Sequence, residues 1–190
     1  PLIEIKHKKN SFFINGQILN DNRKFDIEEL KPIFSNLSND INLQEIEFSS
    51  KNNFSFNVNK KLKFNNLKVQ SIIELNKLTV NEKNLKLKSY LPDFVEKIGF
   101  EKHKININYE KNKFDIKGYG NILLENKLDN LSYQIIKNKN IFIFDSKINL
   151  KNNSLLIDFL DYEKKEGSNS LVTIKGNFKK NNLFSLDLIS

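Results

Sequence analysis

Between Lys113 and Leu150, apolar and polar residues take turns along the chain. In an extended strand successive side chains point to opposite faces, so a period of two sorts them into two sets. Phe114, Ile116 and Ile122 fall in one set, and Asp115, Lys117, Tyr119 and Asn121 in the other. Leu131, Tyr133 and Ile135 repeat the spacing after a polar break. Beyond Lys137–Asn140 come Ile141 to Phe144, then Ile148 and Leu150. The pattern predicts strands joined by polar turns, with one greasy face that carries Phe142, Phe144 and Ile148.

The rest of the chain repeats this theme. Leu2–Lys6 reads as a short strand, and Ser11–Leu19 as another with Phe12, Ile14 and Ile18 on one face. Asp21–Arg23 reads as a turn cluster. From Leu43 onward, Ile46 and Phe48 share a face, as do Phe54, Phe56 and Val58. Val69, Ile73 and Leu75 follow, then Leu78 and Val80, then Leu85 and Leu87. The Asn- and Lys-rich gaps between these groups suit hairpin turns. Ile105, Ile107 and Tyr109 lead into the central run, and Leu155, Ile157 and Phe159 continue beyond it. Glu163–Ser170 reads as a loop; Val172, Ile174 and Phe178, then Phe184 and Leu186, form the last strands.

Helical signals are few. Asp26–Leu37 carries an N-capping Asp26, acidic residues in its first turn, and Ile27, Leu30, Phe34 and Leu37 at spacings of three and four, although Pro32 interrupts it. Tyr90–Asp93 breaks the alternation, and Phe94–Ile98 is expected to form one helical turn ending at Gly99. Gly16, Gly118 and Gly176 each close an apolar-x-Ile-polar-Gly segment, at irregular separations. Glycine inside a strand marks a bend or bulge, which a long sheet needs in order to curve.

The expected fold is mainly β: a long, curved, antiparallel sheet with one or two short helices, forming an open apolar groove. The predicted lining is Phe12, Ile14, Ile18, Phe54, Phe56, Val69, Ile73, Ile105, Ile107, Phe114, Ile116, Ile122, Phe142, Phe144, Ile148, Leu155, Ile157, Phe159, Val172, Ile174, Phe178, Phe184 and Leu186. So many one-sided strands need a cover: a second sheet, closure into a barrel, or a ligand. The predicted helices are too short to supply it. Residues 1–190 read as one segment of a longer repetitive protein, with a sub-boundary near 89–100, and the start at Pro1 suits a fragment or processed product.

Composition narrows the chemistry. There is no cysteine, so disulfides and thiolate metal sites are excluded. The net charge is +8, but the cations are nearly all Lys, with Arg23 the lone arginine. Abundant Lys, Asn, Ile and Phe match the coding habit of an AT-rich genome, and base or phosphate readers favour Arg. Nucleic acid is therefore not an expected partner. His7 and His103 stand in no metal-ligand spacing and are expected to be solvated. Asp115, Asp145, Asp158, Asp161 and Glu163 are scattered over polar positions and turns, and no nucleophile elbow or phosphate loop is present. The expectation is a protein that is not an enzyme and uses no cofactor or metal. No apolar run approaches the ~20 residues that span a bilayer. No signal peptide opens the chain.

The Lys- and Asn-rich strand series, the Ser89-Tyr90-Leu91-Pro92 break after Leu85-Lys86-Leu87-Lys88, and Ile116-Lys117-Gly118 leading into Asn121-Ile122 resemble the AsmA-like superfamily. The YhdP-type proteins of Gram-negative bacteria are the nearest branch, with TamB more distant. The resemblance implies a periplasmic segment tethered to the inner membrane by an anchor outside this sequence. It also implies a β-groove of taco-like form that carries phospholipid acyl chains toward the outer membrane. The rival expectation is a structural or interaction module, a β-sandwich or solenoid with a dry core.

Overall fold

The computed structural model describes the chain except residues 27, 30–41, 82–85, 93, 95, 112, 125, 139–140, 180–183 and 190, and gives only the backbone path at 8, 42, 86, 138, 178–179 and 184–189. The chain is mainly β. Ten strands form one antiparallel sheet: β1 (Leu2–Lys8), β2 (Ser11–Phe25), β3 (Asn42–Asn59), β4 (Phe64–Asn81), β5 (Lys97–Glu110), β6 (Lys113–Leu124), β7 (Lys127–Asn138), β8 (Ile141–Leu150), β11 (Ser170–Lys179) and β12 (Phe184–Ile189). Each pairs with its neighbour in sequence, except that β8 pairs with β11 across a small excursion, the hairpin of β9 (Leu155–Ile157) and β10 (Tyr162–Lys164). β1 and β12 each have one partner, so the sheet is open rather than closed.

The two ends of the strands differ. At one rim lie the short connections of β1 to β2, β3 to β4, β5 to β6, β7 to β8 and β11 to β12. The other rim carries the long connections, β2 to β3, β4 to β5 and β8 to β11. The candidate helix at Asp26–Leu37 falls in the first of these, mostly outside the described residues. In the second, a 3-10 turn at Lys86–Ser89 takes the place of the strand expected around Leu87. Lys97 and Ile98 already belong to β5, so the expected helical turn at Phe94–Ile98 does not form there.

β2, β3 and β4 are longer than the alternation suggested, and the expected turn at Asp21–Arg23 is a bulge inside β2. Bulges in β2, β3–β4 and β5 lie side by side, because Arg23, Phe48, Leu75 and His103 are successive partners beside them. Extra residues in one strand bend it and raise its twist. Aligned across neighbouring strands, they crease the sheet. Asn76 donates to Asn22 at 2.7 Å, and Asn22 to Glu47 at 2.6 Å, tying the crease together.

Candidate functional site

Directly paired residues of antiparallel strands lie on the same face. The register therefore tests which predicted lining residues meet. One row runs Gly16, Phe54, Val69, Tyr109, Phe114 across β2 to β6. The next runs Ile18, Asn52, Ser71, Ile107, Ile116, Ile135, Phe144. Ile73 and Ile105 pair with each other, Ile14 pairs with Phe56, and Phe12 with Val58. Ile122 pairs with Phe100, Ile148 with Val172, Ile174 with Ser146, and Phe142 with Lys137. All of these belong to one face. Phe178 is in register with Phe142, and Phe184 with Phe178, while Leu186 is in register with Gly176; their side chains lie outside the described set.

Leu155, Ile157 and Phe159 are placed differently. They belong to β9 and the 3-10 turn Asp158–Leu160, outside the ten-stranded sheet. Leu155 packs against the sheet's core cluster, whereas Phe159 is 79% exposed. The αL residue Asp161, at φ 49°, ends that turn and reverses the chain into β10, which removes Phe159 from the alternation that predicted it.

The apolar face divides along the strands. Near the rim of long connections, Leu91 and Phe94 are buried with Ile122, Leu124, Leu131 and Leu150, and Leu87 and Leu155 pack beside them. The backbone N–H of Leu156 donates to the Tyr90 carbonyl at 2.9 Å, joining the two connections that make this cap. Toward the turn rim and β1, Ile3, Ile5, Phe12, Ile18 and Phe64 are exposed. Nor is the face uniformly greasy. Asn20, Ser50, Asn52 and Ser71 form a polar strip within it, where Asn52 donates to Ser50 at 2.9 Å and Asn20 to the Phe48 carbonyl at 3.1 Å.

Two polar sites sit within the capped region. His103, expected to be solvated, is only 2% exposed. The bulge at Lys102, with φ 51°, turns it onto the apolar face beside Phe100, Gly120 and Tyr133. Its Nε2 donates to the Asn121 carbonyl at 2.7 Å, and its Nδ1 has no partner among the described residues. Burial pushes the imidazole below its ordinary value, against a smaller opposing effect of the Asn121 hydrogen bond. The second site is Asp129. Its carboxylate accepts from the backbone N–H groups of Lys151, Asn152 and Asn153 and from the Asn153 side chain, at 2.8, 2.9, 3.1 and 2.7 Å. Lys164 donates to the carbonyls of Lys151 and Asn153 at 3.1 and 2.5 Å. Together these buried groups fasten the β9–β10 excursion to the sheet.

A concavity of about 810 Å³ lies on the opposite face. Two polar-face rows wall it, one through Gln17, Asn53, Gln70, Asn108 and Asp115, the other through Asn15, Ser55, Lys68, Glu110 and Lys113. Phe54, Val69, Tyr109 and Phe114, whose side chains belong to the apolar face, lie between those rows. A twisted sheet is saddle-shaped and so can be concave on both faces, along different diagonals.

Among the described residues no group of three or more His, Asp or Glu is arranged to hold a metal ion, and no helix is long and apolar enough to cross a membrane. Comparison with protein-family models, curated proteins and solved structures returned no match.

Proposed function

We propose that this chain is a segment of a periplasmic, AsmA-like bridge protein that holds phospholipid by its acyl chains against the apolar face and carries no enzymatic activity. The observation that supports this reading is the gathering of most of the predicted apolar residues on one face of an open sheet, which the described residues cap near one rim. Acyl chains would lie over the rows through Phe54, Phe114, Ile116 and Phe144, and headgroups would project past the turn rim.

The mechanism needs adhesion without trapping. Each CH₂ moved out of water contributes about 0.8 kcal/mol, so a long chain is held firmly. From β5 to β8 the row Ile107, Ile116, Ile135 and Phe144 offers similar apolar contacts from strand to strand, so a shift along that part of the face exchanges one set for another at small cost. The anchor that tethers such a segment to the inner membrane would lie outside this sequence.

The cap favours a second reading. Leu91 and Phe94 form a dry core with the sheet, as a structural or interaction module would. Solvent extraction of the purified chain followed by mass spectrometry separates the two. The conduit reading expects co-purifying phospholipid and saturable uptake of a fluorescent phospholipid from vesicles. A lipid-free chain that takes up none leaves the structural module.

A further inference from the structure

We propose that the trough on the polar face is a second binding site, for an extended, neutral oligosaccharide. This goes beyond the lipid reading and does not depend on it, because it uses the other face of the sheet.

The shape indicates a chain-like ligand. The trough runs across the strands from Leu2 on β1 to Ile136 on β7. At the usual separation of neighbouring strands, that is about 29 Å. Its floor is the paired backbone of central strands, so it offers no free edge to which a peptide strand could add.

The chemistry indicates hydroxyl groups. Gln17, Asn53, Gln70 and Asn108 are successive partners in the register, one amide per strand. Each amide combines two donors with a two-lone-pair acceptor, the same mixed capacity that sugar hydroxyls present. Gln17 and Asn53 spend one donor and one acceptor on each other, at 2.9 Å, and Gln70 and Asn108 are exposed. A row spaced at strand separation meets a polymer of similar repeat with one polar contact per unit.

The electrostatics exclude the other polymers. The charged residues of the lining nearly balance, Lys68, Lys113 and Lys137 against Glu110 and Asp115, and Lys68 pairs with Glu110 at 2.7 Å. A chain of net charge +8 thus keeps a trough with little pull on anions. No arginine lines it, and the side chains of its aromatics, Phe54, Tyr109 and Phe114, belong to the other face, where they cannot stack on bases lying in the trough. At the far end, Ile136 pairs with Ile143, and both are exposed. This apolar step suits the C–H face of a pyranose ring.

The test is an NMR titration of the isotope-labelled chain with chitohexaose, a neutral hexasaccharide, with cellohexaose as a second probe. The side-chain amide signals of Gln17, Asn53, Gln70 and Asn108 should shift together, while those of Asn20 and Asn52 on the apolar face stay still. The double substitution Gln70→Ala/Asn108→Ala should weaken binding about tenfold or more, by loss of two ligand hydrogen bonds, at unchanged Tm. Added salt should leave the affinity unaltered. No shift with either sugar at millimolar concentration overturns the proposal. So does binding that survives the double substitution, or a response seen only with anionic polymers or anionic vesicles.

Discussion

Tyr133 covers Gly118, its direct partner on the neighbouring strand, so closely that a methyl group at position 118 would overlap the phenolic end of the ring. The same pairing recurs between Gly16 and Phe54, where an added Cβ would lie 2.5 Å from the ring, and in register between Gly176 and Phe144. Gly16 and Gly118 are thus seats for aromatic side chains on the apolar face, and Gly176 holds the same register position opposite Phe144. Gly118→Ala should cost about 1–3 kcal/mol by overpacking. Chemical denaturation of G118A, Y133A and the double variant checks this: the glycine change should cost far less once the ring is gone. Additive losses would remove the proposed contact.

Asp129 is the fastening of the β9–β10 excursion, answering three backbone donors at once. Asp129→Ala leaves those buried donors without their acceptor, and a loss of about 2–4 kcal/mol is expected. Hydrogen exchange should quicken at Lys151–Asn153 well before it does in β6. Uniform quickening across the sheet would mean that Asp129 is not a local fastening.

The cap depends on Phe94, which is 3% exposed. Phe94→Ala should cost about 3–5 kcal/mol, the usual price of emptying an aromatic core site. It should also uncover Ile122, Leu131 and Leu150, raising binding of a hydrophobic dye such as ANS. A variant with wild-type stability and dye binding would show that the cap does not seal this rim.

Acid should weaken the protein in two stages. The folded state holds His103 below its ordinary value of 6.5, so its contribution is complete above that pH and is lost as pH falls below it, where the unfolded chain binds a proton that the buried ring resists. Its ring lies beside Phe100 and Tyr133 and in register with Leu75, and the added proton would sit on Nδ1, which has no partner among the described residues. His103→Gln should abolish this first stage. The second stage comes from carboxylates. Hydrogen bonds from Lys24 and then Lys77 hold Glu45 at about 2, and Lys6 and Lys68 lower Glu4 and Glu110. Stability from these pairs is present above pH 4.5 and is lost as pH falls toward about 2. Salt should shrink this stage, because the pairs are largely exposed. Denaturation midpoints between pH 7 and pH 2, with and without salt, measure both.

The faces of the sheet were legible because alternation survives wherever strands are regular. Phe114, Ile116 and Phe144 share the face their spacing assigned. Polar clusters misled. Asp21-Asn22 and Asn76-Lys77 look like turns, but the first pair lies in a bulge and Asn76 is the extra residue of another, with Lys77 regularly paired inside a long strand, and only cross-strand alignment distinguishes the two. His103 was misjudged for the same reason: its lysine-rich neighbours suggest solvent, while the Lys102 bulge turns the ring inward. Leu91 and Phe94 gave no period to follow, because they act from an irregular connection, by tertiary packing. The polar trough was not foreseen, since each of its amides is an ordinary surface residue until the register aligns them.

The lipid account rests on which face meets acyl chains, and site-specific photo-crosslinking reads that directly. Crosslinkers placed singly at Phe114, Ile116 and Phe144, and at Asp115 and Lys117 on the reverse face, are irradiated with the chain loaded from phospholipid vesicles. The account predicts phospholipid adducts at the first three positions and none at the other two. Equal labelling of both faces, or none at Phe114, Ile116 and Phe144 in a folded chain, would contradict it.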